Sequence, residues 1–343
     1  MSAGIASEGD PRTPVPLFVP PGHFYSPVPD PSAIGERLDG LLDARRPMPG
    51  LATHDDVQFA LGRKLLAFLA HFDPPLEQDR ARARYWSQNP FYPFGDAALL
   101  SLLVHELAPR RAVEIGCGFS SAALLDARDR ERAHGRSDVL THVRFVEPYP
   151  DRLLDLMDER DRASLVRVPT TGTANDATSS AAPTNAAAER APLSLDARPL
   201  EEADLTWIET LGRGDLLIVD SSHVLKTGSD VFLLFDRILP ALARGVWIHV
   251  HDVAWPFEYP RPWLLEGRAW NEAYALKLFL QYNAAFALRM QLTYLLSREP
   301  SILFPALGLP HGLDGPLPAG FPLAAVKRLL AEPGSAAWLE RLG

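Results

Sequence analysis

The stretch 113–127, VEIGCGFSSAALLDA, opens as an apolar strand and closes as a helix, with two glycines and two serines at the join. A join of this kind is either an ordinary tight βα turn or a cradle for a nucleotide-like ligand. Glycine at 116 and 118 lets backbone approach a ligand without interference from a Cβ, and a helix start offers unpaired N–H donors. For the second reading, an acidic residue should end the following strand and accept hydrogens from ribose hydroxyls. VRFVE, residues 143–147, supplies that strand, and Glu147 supplies that acid. The separation exceeds the usual ~20 residues, and the polar stretch RDRERAHGRSD before the second strand accounts for the excess.

Strands and helices alternate outward from this join, which argues for a parallel sheet covered by helices on both faces. DRLLDLMDERDRASL reads as a helix, and DLLIVD, 215–220, as a short and almost wholly apolar strand suited to a sheet centre. GVWIHVHD, 245–252, is a further strand, and FALRM, 286–290, another. Upstream, HDDVQFALGRKLLAFLAHF places Val57, Leu61, Leu65 and Phe68 at helical spacing, and DAALLSLLVHEL, 96–107, leads through Pro109 into the strand RAVEI.

The expected organisation is a proline-rich arm over 1–31, a helical segment over 32–108, and an α/β domain over 109–343. Phe18, Phe24 and Tyr25 make the arm stickier than a plain linker, so it reads either as a flexible leader or as an extended arm packed on the body. Residues 169–192, mostly Ala, Thr, Ser, Asn and Pro, carry no aromatic side chain and cannot offset their ordering entropy. They read as a disordered insertion.

Composition excludes several classes. The 343 residues carry a net charge of −9, with no run of five or six like charges, so neither nucleic acid nor an anionic membrane surface is an expected partner. The lone cysteine, Cys117, excludes an internal disulfide framework and a cysteine-cluster metal site. The first residues have neither a basic start nor an apolar stretch, and no run approaches the roughly 18 apolar residues of a membrane span. A cytoplasmic protein is expected, with a small-molecule partner and an oligomeric state that composition does not reveal.

The glycine pattern narrows the ligand. A dinucleotide fingerprint, G-x-G-x-x-G, wants a third glycine where this chain has Ser121. The pattern E-x-G-x-G, Glu114 to Gly118, instead resembles motif I of the class I S-adenosylmethionine (SAM)-dependent methyltransferases. The resemblance covers residues 85–341 through NPFYPFGDAALLSLL, VEIGCGFSS, VEPYP, LLIVDSSHV, GVWIHVHDVAWPFEYP and WNEAYALKLFL, with GSAAWLERL like the terminal strand. It implies a Rossmann-like, doubly wound sheet of seven strands with one antiparallel strand, carrying an N-terminal helical and extended extension. It also implies SAM as cofactor, with Glu114, Gly116, Gly118 and Ser120 at the cofactor turn and Glu147 on the ribose. Asp196, in LSLDARPL, would lie near the adenine amine, and Asp220 where cofactor and acceptor meet.

Methyl transfer needs a positioned acceptor and often a base to take its proton. DSSH places His223 three residues beyond Asp220, past the carboxyl end of a central strand, where open α/β sheets bind ligands. It reads as a general base or as a helix-capping histidine. His249 and His251 share one strand face, with Asp252 at the strand end. His249, inside the strand, reads as a core histidine, whereas His251 and Asp252 read as site residues.

The arrangement is similar to macrolide sugar O-methyltransferases, in which an aspartate after one strand and adjacent ligands after the next hold magnesium. That similarity implies Asp220, His251 and Asp252 as ligands of a divalent metal, although imidazole at 251 suits a transition metal better than magnesium. AWPFEYPRPW, 254–263, reads as a semi-rigid lid bringing Glu258 and Tyr259 to an acceptor, or as a packed surface loop. Asn271 and Glu272 stand where helix capping and ligand binding explain them equally.

The function expected from these residues is SAM-dependent O-methylation of a small or sugar-containing metabolite, with His223, Asp220 and Asp252 as the catalytic set. A nicotinamide-dependent Rossmann oxidoreductase and a non-catalytic SAM-binding protein are the alternatives, because a fold and a cofactor motif do not prove turnover.

Overall fold

The structure, a computed structural model, describes residues 18–169 and 191–343. Most of the expected insertion and the start of the proline-rich arm lie outside the described residues. The chain divides into two compact units, Met1–Leu42 with Pro260–Ala269, and Asp43–Tyr259 with Trp270–Gly343.

In the smaller unit, short helices at Pro31–Gly35 and Arg261–Leu265 touch, and the Asp30 carboxylate caps the first by accepting from the Ser32 amide at 2.9 Å. Arg261 forms an ion pair with Asp39. The His23 ring stacks on Phe24, both lie tilted against Tyr25, and Phe18, Phe24 and Tyr25 stay exposed.

The larger unit is built on a sheet whose strands are β1 (Arg111–Ile115), β2 (His142–Val146), β3 (Leu165–Arg167), β4 (Leu193–Asp196), β5 (Leu216–Val219), β6 (Trp247–Val250), β7 (Phe286–Gln291) and β8 (Ala337–Arg341). Their order is β3-β4-β2-β1-β5-β6-β8-β7. All neighbouring pairs from β3 to β6 are parallel, and β8 runs antiparallel to both β6 and β7. The sheet therefore has eight strands among the described residues, where seven were expected. The additional one, β3, has three residues and pairs only with β4 at the edge, too short to show an alternation of its own. The single antiparallel strand is where the resemblance put it.

The helices of nine residues or more are α1 (Asp55–Phe68), α2 (Phe94–Leu107), α3 (Phe119–Ala133), α4 (Glu272–Leu280) and α5 (Leu323–Ala331). In α2 every residue from Phe94 to Val104 is buried, which is why its sequence is apolar all round rather than striped. It packs on α3, and their side chains share one core with β1, β2 and β5. In α1 the buried residues are Gln58, Gly62, Leu65 and Leu66, so its inward face is rotated about one position from the expected Val57–Leu61–Leu65–Phe68 stripe. Gln58 is tolerated there because its amide accepts from the Gln291 backbone at 2.9 Å and donates to the Thr53 carbonyl at 2.6 Å. No described helix is long and apolar enough to cross a membrane.

The strand order reverses at β1, which has β2 on one side and β5 on the other. Open α/β sheets bind ligands at such a switch point, beyond the carboxyl ends of the strands. Gly116, Glu147, Asp220 and His251 each follow directly on the carboxyl end of β1, β2, β5 and β6.

Candidate active site

The β1–α3 turn is fixed by hydrogen bonds that its sequence makes unavoidable. Gly116 adopts φ +75°, and its amide donates to the Val146 carbonyl at 3.0 Å. A Cβ there would lie 1.8 Å from the Asp220 carbonyl oxygen, so only glycine fits. Gly118 is different: its backbone is extended, and a Cβ would meet only the flexible Arg152 side chain, at 3.2 Å. The Gly118 amide donates to Ser121 Oγ at 3.0 Å, and the Cys117 amide to Glu147 Oε2 at 2.9 Å. Glu147 Oε1 accepts from the Tyr149 amide at 2.7 Å, so this carboxylate ties the two strand-end loops together.

Glu114 is fully buried beneath the turn. Ser120 Oγ donates to its Oε1 at 2.6 Å, while Oε2 is buried with no protein partner. Burial pushes its carboxyl up to about 8, against the hydrogen bonds from Ser120 and Ser121. Asp196 ends β4 but does not reach the cavity beside the turn: both its oxygens are engaged by Arg198, at 2.7 and 2.8 Å, with Arg144 at 3.4 Å. The expected adenine contact is thus replaced by an internal ion pair.

A cavity of about 360 Å³ opens over the switch point. Cys117–Ser120 form one wall and Asp220–His223 another, with His251, Asp252, Phe91, Arg152 and Trp270 completing the lining. Larger hollows exist elsewhere, one of about 560 Å³ around Arg84, but they contain none of the residues singled out from the sequence.

His223 occupies a left-handed backbone position, φ +59°, and its ring lies 4.4 Å from that of Trp270. Its Nδ1 is 2.9 Å from Glu272 Oε2, and its Nε2 is 3.5 Å from Asp220 Oδ1 and 3.9 Å from Asp252 Oδ2. Burial alone would lower the imidazole's pKa, but hydrogen bonding to Asp220 and Glu272 raises it to about 10. A base titrating near its ordinary value was expected; this ring is charged at neutral pH.

His251 is held similarly, with Nδ1 3.3 Å from Asp220 Oδ1 and Nε2 3.8 Å from the buried Asp96. Burial opposes its charge, yet the hydrogen bond to Asp220 and the charges of Asp220, Asp252 and Asp96 raise it to about 9. Burial also opposes ionisation of Asp220, but the two histidines outweigh it and hold that carboxyl well below the usual range. Asp96 is pushed by burial to about 6, restrained by the charge of His251 and by the amides of Ser335 and Ala336. His249 is the core histidine expected: fully buried, 3.2 Å from the Tyr92 hydroxyl, edge-on to Trp338, and lowered by burial to about 3.

The proposed metal ligands do not form a ligand set. Among the described residues no three His, Cys, Asp or Glu side chains are arranged to hold a metal ion. The three side chains turn onto one another instead, His251 Nδ1 lying 3.3 Å from Asp220 Oδ1 and 3.8 Å from Asp252 Oδ1. Asp252 Oδ1 is also occupied, accepting from Ser335 Oγ at 2.8 Å. Asp220, His251 and Asp252 are brought together as an ion-pair cluster, which corrects the expectation of a divalent metal.

The loop after β6 turns inward. Glu258 accepts from the Tyr274 hydroxyl and, at 3.1 Å, from the Tyr259 amide, while the Tyr259 hydroxyl accepts from the Ala273 amide at 3.0 Å. Both side chains are buried and neither lines the cavity, so they pack the loop rather than meet an acceptor. Sequence reasoning missed Asp96 and Arg152 and read Glu272 only as a capping or ligand residue. For Asp96 a signal existed, since a lone carboxylate in the apolar run of α2 has to be buried beside a partner. Arg152 carried none.

Residues 113–253 match the family described as a methyltransferase domain. An uncharacterized protein of Archaeoglobus fulgidus is 27% identical over 138 residues, a match spanning 39% of this chain and 60% of that protein. Among solved structures, a candidate protein-L-isoaspartate O-methyltransferase from Plasmodium falciparum, in complex with S-adenosyl-L-homocysteine, aligns at 12% identity and a TM-score of 0.28. That alignment covers 64% of this chain and 83% of the other. A candidate methyltransferase from Thermobifida fusca YX aligns at 12% identity and a TM-score of 0.30, covering 85% of this chain and 96% of the other. The residues matched by the methyltransferase-domain family, 113–253, include the turns that follow β1, β2, β5 and β6.

Proposed function

We propose that this chain transfers a methyl group from SAM to a hydroxyl oxygen of a small molecule. One observation carries the reading: the turn Cys117–Ser120 and the segment Asp220–His223 face each other across a single cavity, with the histidine fixed by a buried carboxylate.

Glu114, Gly116–Ser120 and Glu147 would hold the cofactor, and the unpartnered Oε2 of Glu114 is a buried polar atom that a polar ligand there would satisfy. SAM, when bound, supplies an electrophilic methyl group. His223 then has two tasks. In its charged form it donates from Nε2 and orients an acceptor oxygen. Glu272 keeps Nδ1 protonated, so Nε2 is the nitrogen that takes up the acceptor's proton when the ring is neutral. Asp220 stays ionised and balances the charge.

The test is ligand-dependent stability and turnover. S-adenosylhomocysteine and SAM should bind with micromolar-order dissociation constants, about −8 kcal/mol, and raise the melting temperature. NAD and NADP should leave it unchanged. Stabilisation by NAD alone would establish the oxidoreductase alternative, and binding of SAM without turnover on any hydroxylated compound would leave a SAM-binding protein.

A further inference from the structure

We propose that Arg152 is an anion-recognition residue of the acceptor site, and that the acceptor is a hydroxylated small molecule bearing a carboxylate. The proposal rests on the methyltransferase reading for the identity of the cavity, and it names the substrate class that this cavity selects.

Three observations carry it. Arg152 belongs to the short helix Asp151–Leu156, follows Glu147 by five positions, and lines the same cavity as His223. Its guanidinium carbon lies 4.1 Å above the centre of the Phe91 ring, which is itself stacked on Phe119 at 5.8 Å and half exposed. The aromatic face thus lies against the cation at the cavity wall. The other two cations of the cavity already face carboxylates of the protein, His223 at 2.9 Å and His251 at 3.3 Å. Arg152 has no hydrogen bond and no ion pair among the described residues.

A guanidinium fork with unused donors is complementary to a planar carboxylate, which it can bind through two parallel charge-assisted hydrogen bonds. The remainder of the cavity suits the other end of such a ligand. Phe91 and Trp270 give the cavity an apolar wall beside which an unsaturated body can lie, and His223 with Asp220 offers a donor and an acceptor for a hydroxyl group. The competing occupant of Arg152 is the carboxylate of SAM itself, and the experiment separates the two.

Wild-type protein saturated with S-adenosylhomocysteine is titrated by calorimetry with matched pairs: 4-hydroxybenzoate and 4-hydroxybenzamide, 3,4-dihydroxybenzoate and its amide, 4-hydroxycinnamate and its amide. At least one acid should bind roughly tenfold or more tightly than its amide, the ratio given by one charge-assisted contact. Arg152→Gln should bring that ratio to about one, and Arg152→Lys, which keeps charge without the fork, should leave a reduced preference. Neither substitution should alter affinity for S-adenosylhomocysteine. The proposal is overturned if the acids and amides bind wild type alike or not at all. It is equally overturned if Arg152→Gln weakens S-adenosylhomocysteine while the acid–amide ratio persists. Failure of wild type to bind S-adenosylhomocysteine overturns the cofactor reading instead, and the titration repeated without it then decides Arg152 alone.

Discussion

His223 and Glu272 are joined twice. The His223 carbonyl accepts from the Glu272 amide at 3.2 Å, and the His223 ring meets Glu272 Oε2 at 2.9 Å. The first contact satisfies an orphan N–H at the start of α4, so the loop after β5 caps that helix with its backbone. The second places a fully buried carboxylate against the imidazole, 49 positions away in sequence. The left-handed backbone at His223 costs of order 1 kcal/mol, and these two bonds are what hold the residue there.

If Glu272 sustains the proton on His223, Glu272→Gln should move the ring toward its ordinary pKa. Wild-type turnover should rise with pH up to about 10, where His223 becomes neutral. In Glu272→Gln the midpoint should move to lower pH, while affinity for S-adenosylhomocysteine stays near wild type. His223→Ala should lower turnover roughly 10²–10⁴-fold. A pH–rate profile on all three proteins checks this, and an unmoved midpoint would remove Glu272 from the mechanism.

Stability should be lost on the alkaline side. His223 and His251 have folded-state pKa values raised to about 10 and about 9, above the ordinary histidine value of 6.5. Their charged forms pair with carboxylates in the native state, so their contribution is complete below about pH 6.5. It diminishes as pH rises through 9 and 10, where the native state releases the protons. Urea denaturation of wild type between pH 6 and 10 should therefore show a falling midpoint, with a shallower fall in His223→Gln. Parallel profiles for the two proteins would contradict the pairing.

The two turn glycines should respond oppositely to alanine. At Gly116 a methyl group meets the Asp220 carbonyl in a positive-φ backbone, and the overpacking and strain together should cost about 2–4 kcal/mol. At Gly118 only a movable arginine stem is in the way. Chemical denaturation should find Gly118→Ala close to wild type, and Gly118→Val folded but defective in binding S-adenosylhomocysteine. Equal stability of Gly116→Ala and wild type would mean that the turn is open where it is drawn closed.

Arg84 should be the most costly surface-proximal cation to remove. Its side chain, 9% exposed, contacts Asp126, Asp129, Asp158 and Asp161 at 2.9, 2.9, 3.0 and 2.5 Å. It thereby ties the segment before α2 to α3 and to the short helix Glu159–Ser164. Asp129 and Asp158 are partly solvated and lose little when it goes. Asp161 is buried, and an unpaired buried charge costs about 3–5 kcal/mol. Arg84→Met should lower stability within that range, Arg128 retaining part of the Asp161 interaction at 2.8 Å. Circular dichroism melts check it.

The framework was readable because each strand-end turn carries a local signal. VEIGCGFSS displays a strand, a positive-φ glycine and a helix start in nine residues, and DLLIVD and GVWIHVHD display buried strands. These positions fixed the switch point and the residues that follow it. What stayed hidden depends on contacts between distant segments. Glu272 at a helix start reads as a cap because its partner is 49 positions upstream, and Asp196 reads as a ligand because the reach of Arg144, 52 positions upstream, is invisible in one dimension, even though Arg198 stands beside it in the sequence. The metal trio failed for a related reason. Spacing can place three polar residues together, but it does not show that His251 turns onto Asp220 on one side and faces a buried Asp96 from another helix on the other.

The position of β8 sets an order on the making of this protein. Residues 337–341 lie between β6 and β7, so β7 gains its sheet partner only once β8 is in place. The residues leading into β8 also brace the cavity: the amides of Ser335 and Ala336 donate to Asp96, and the Ser335 hydroxyl donates to Asp252. Before β8 docks, Asp96 and Asp252 lack the donors that brace them, so competence to bind an acceptor would depend on the docking of this one strand.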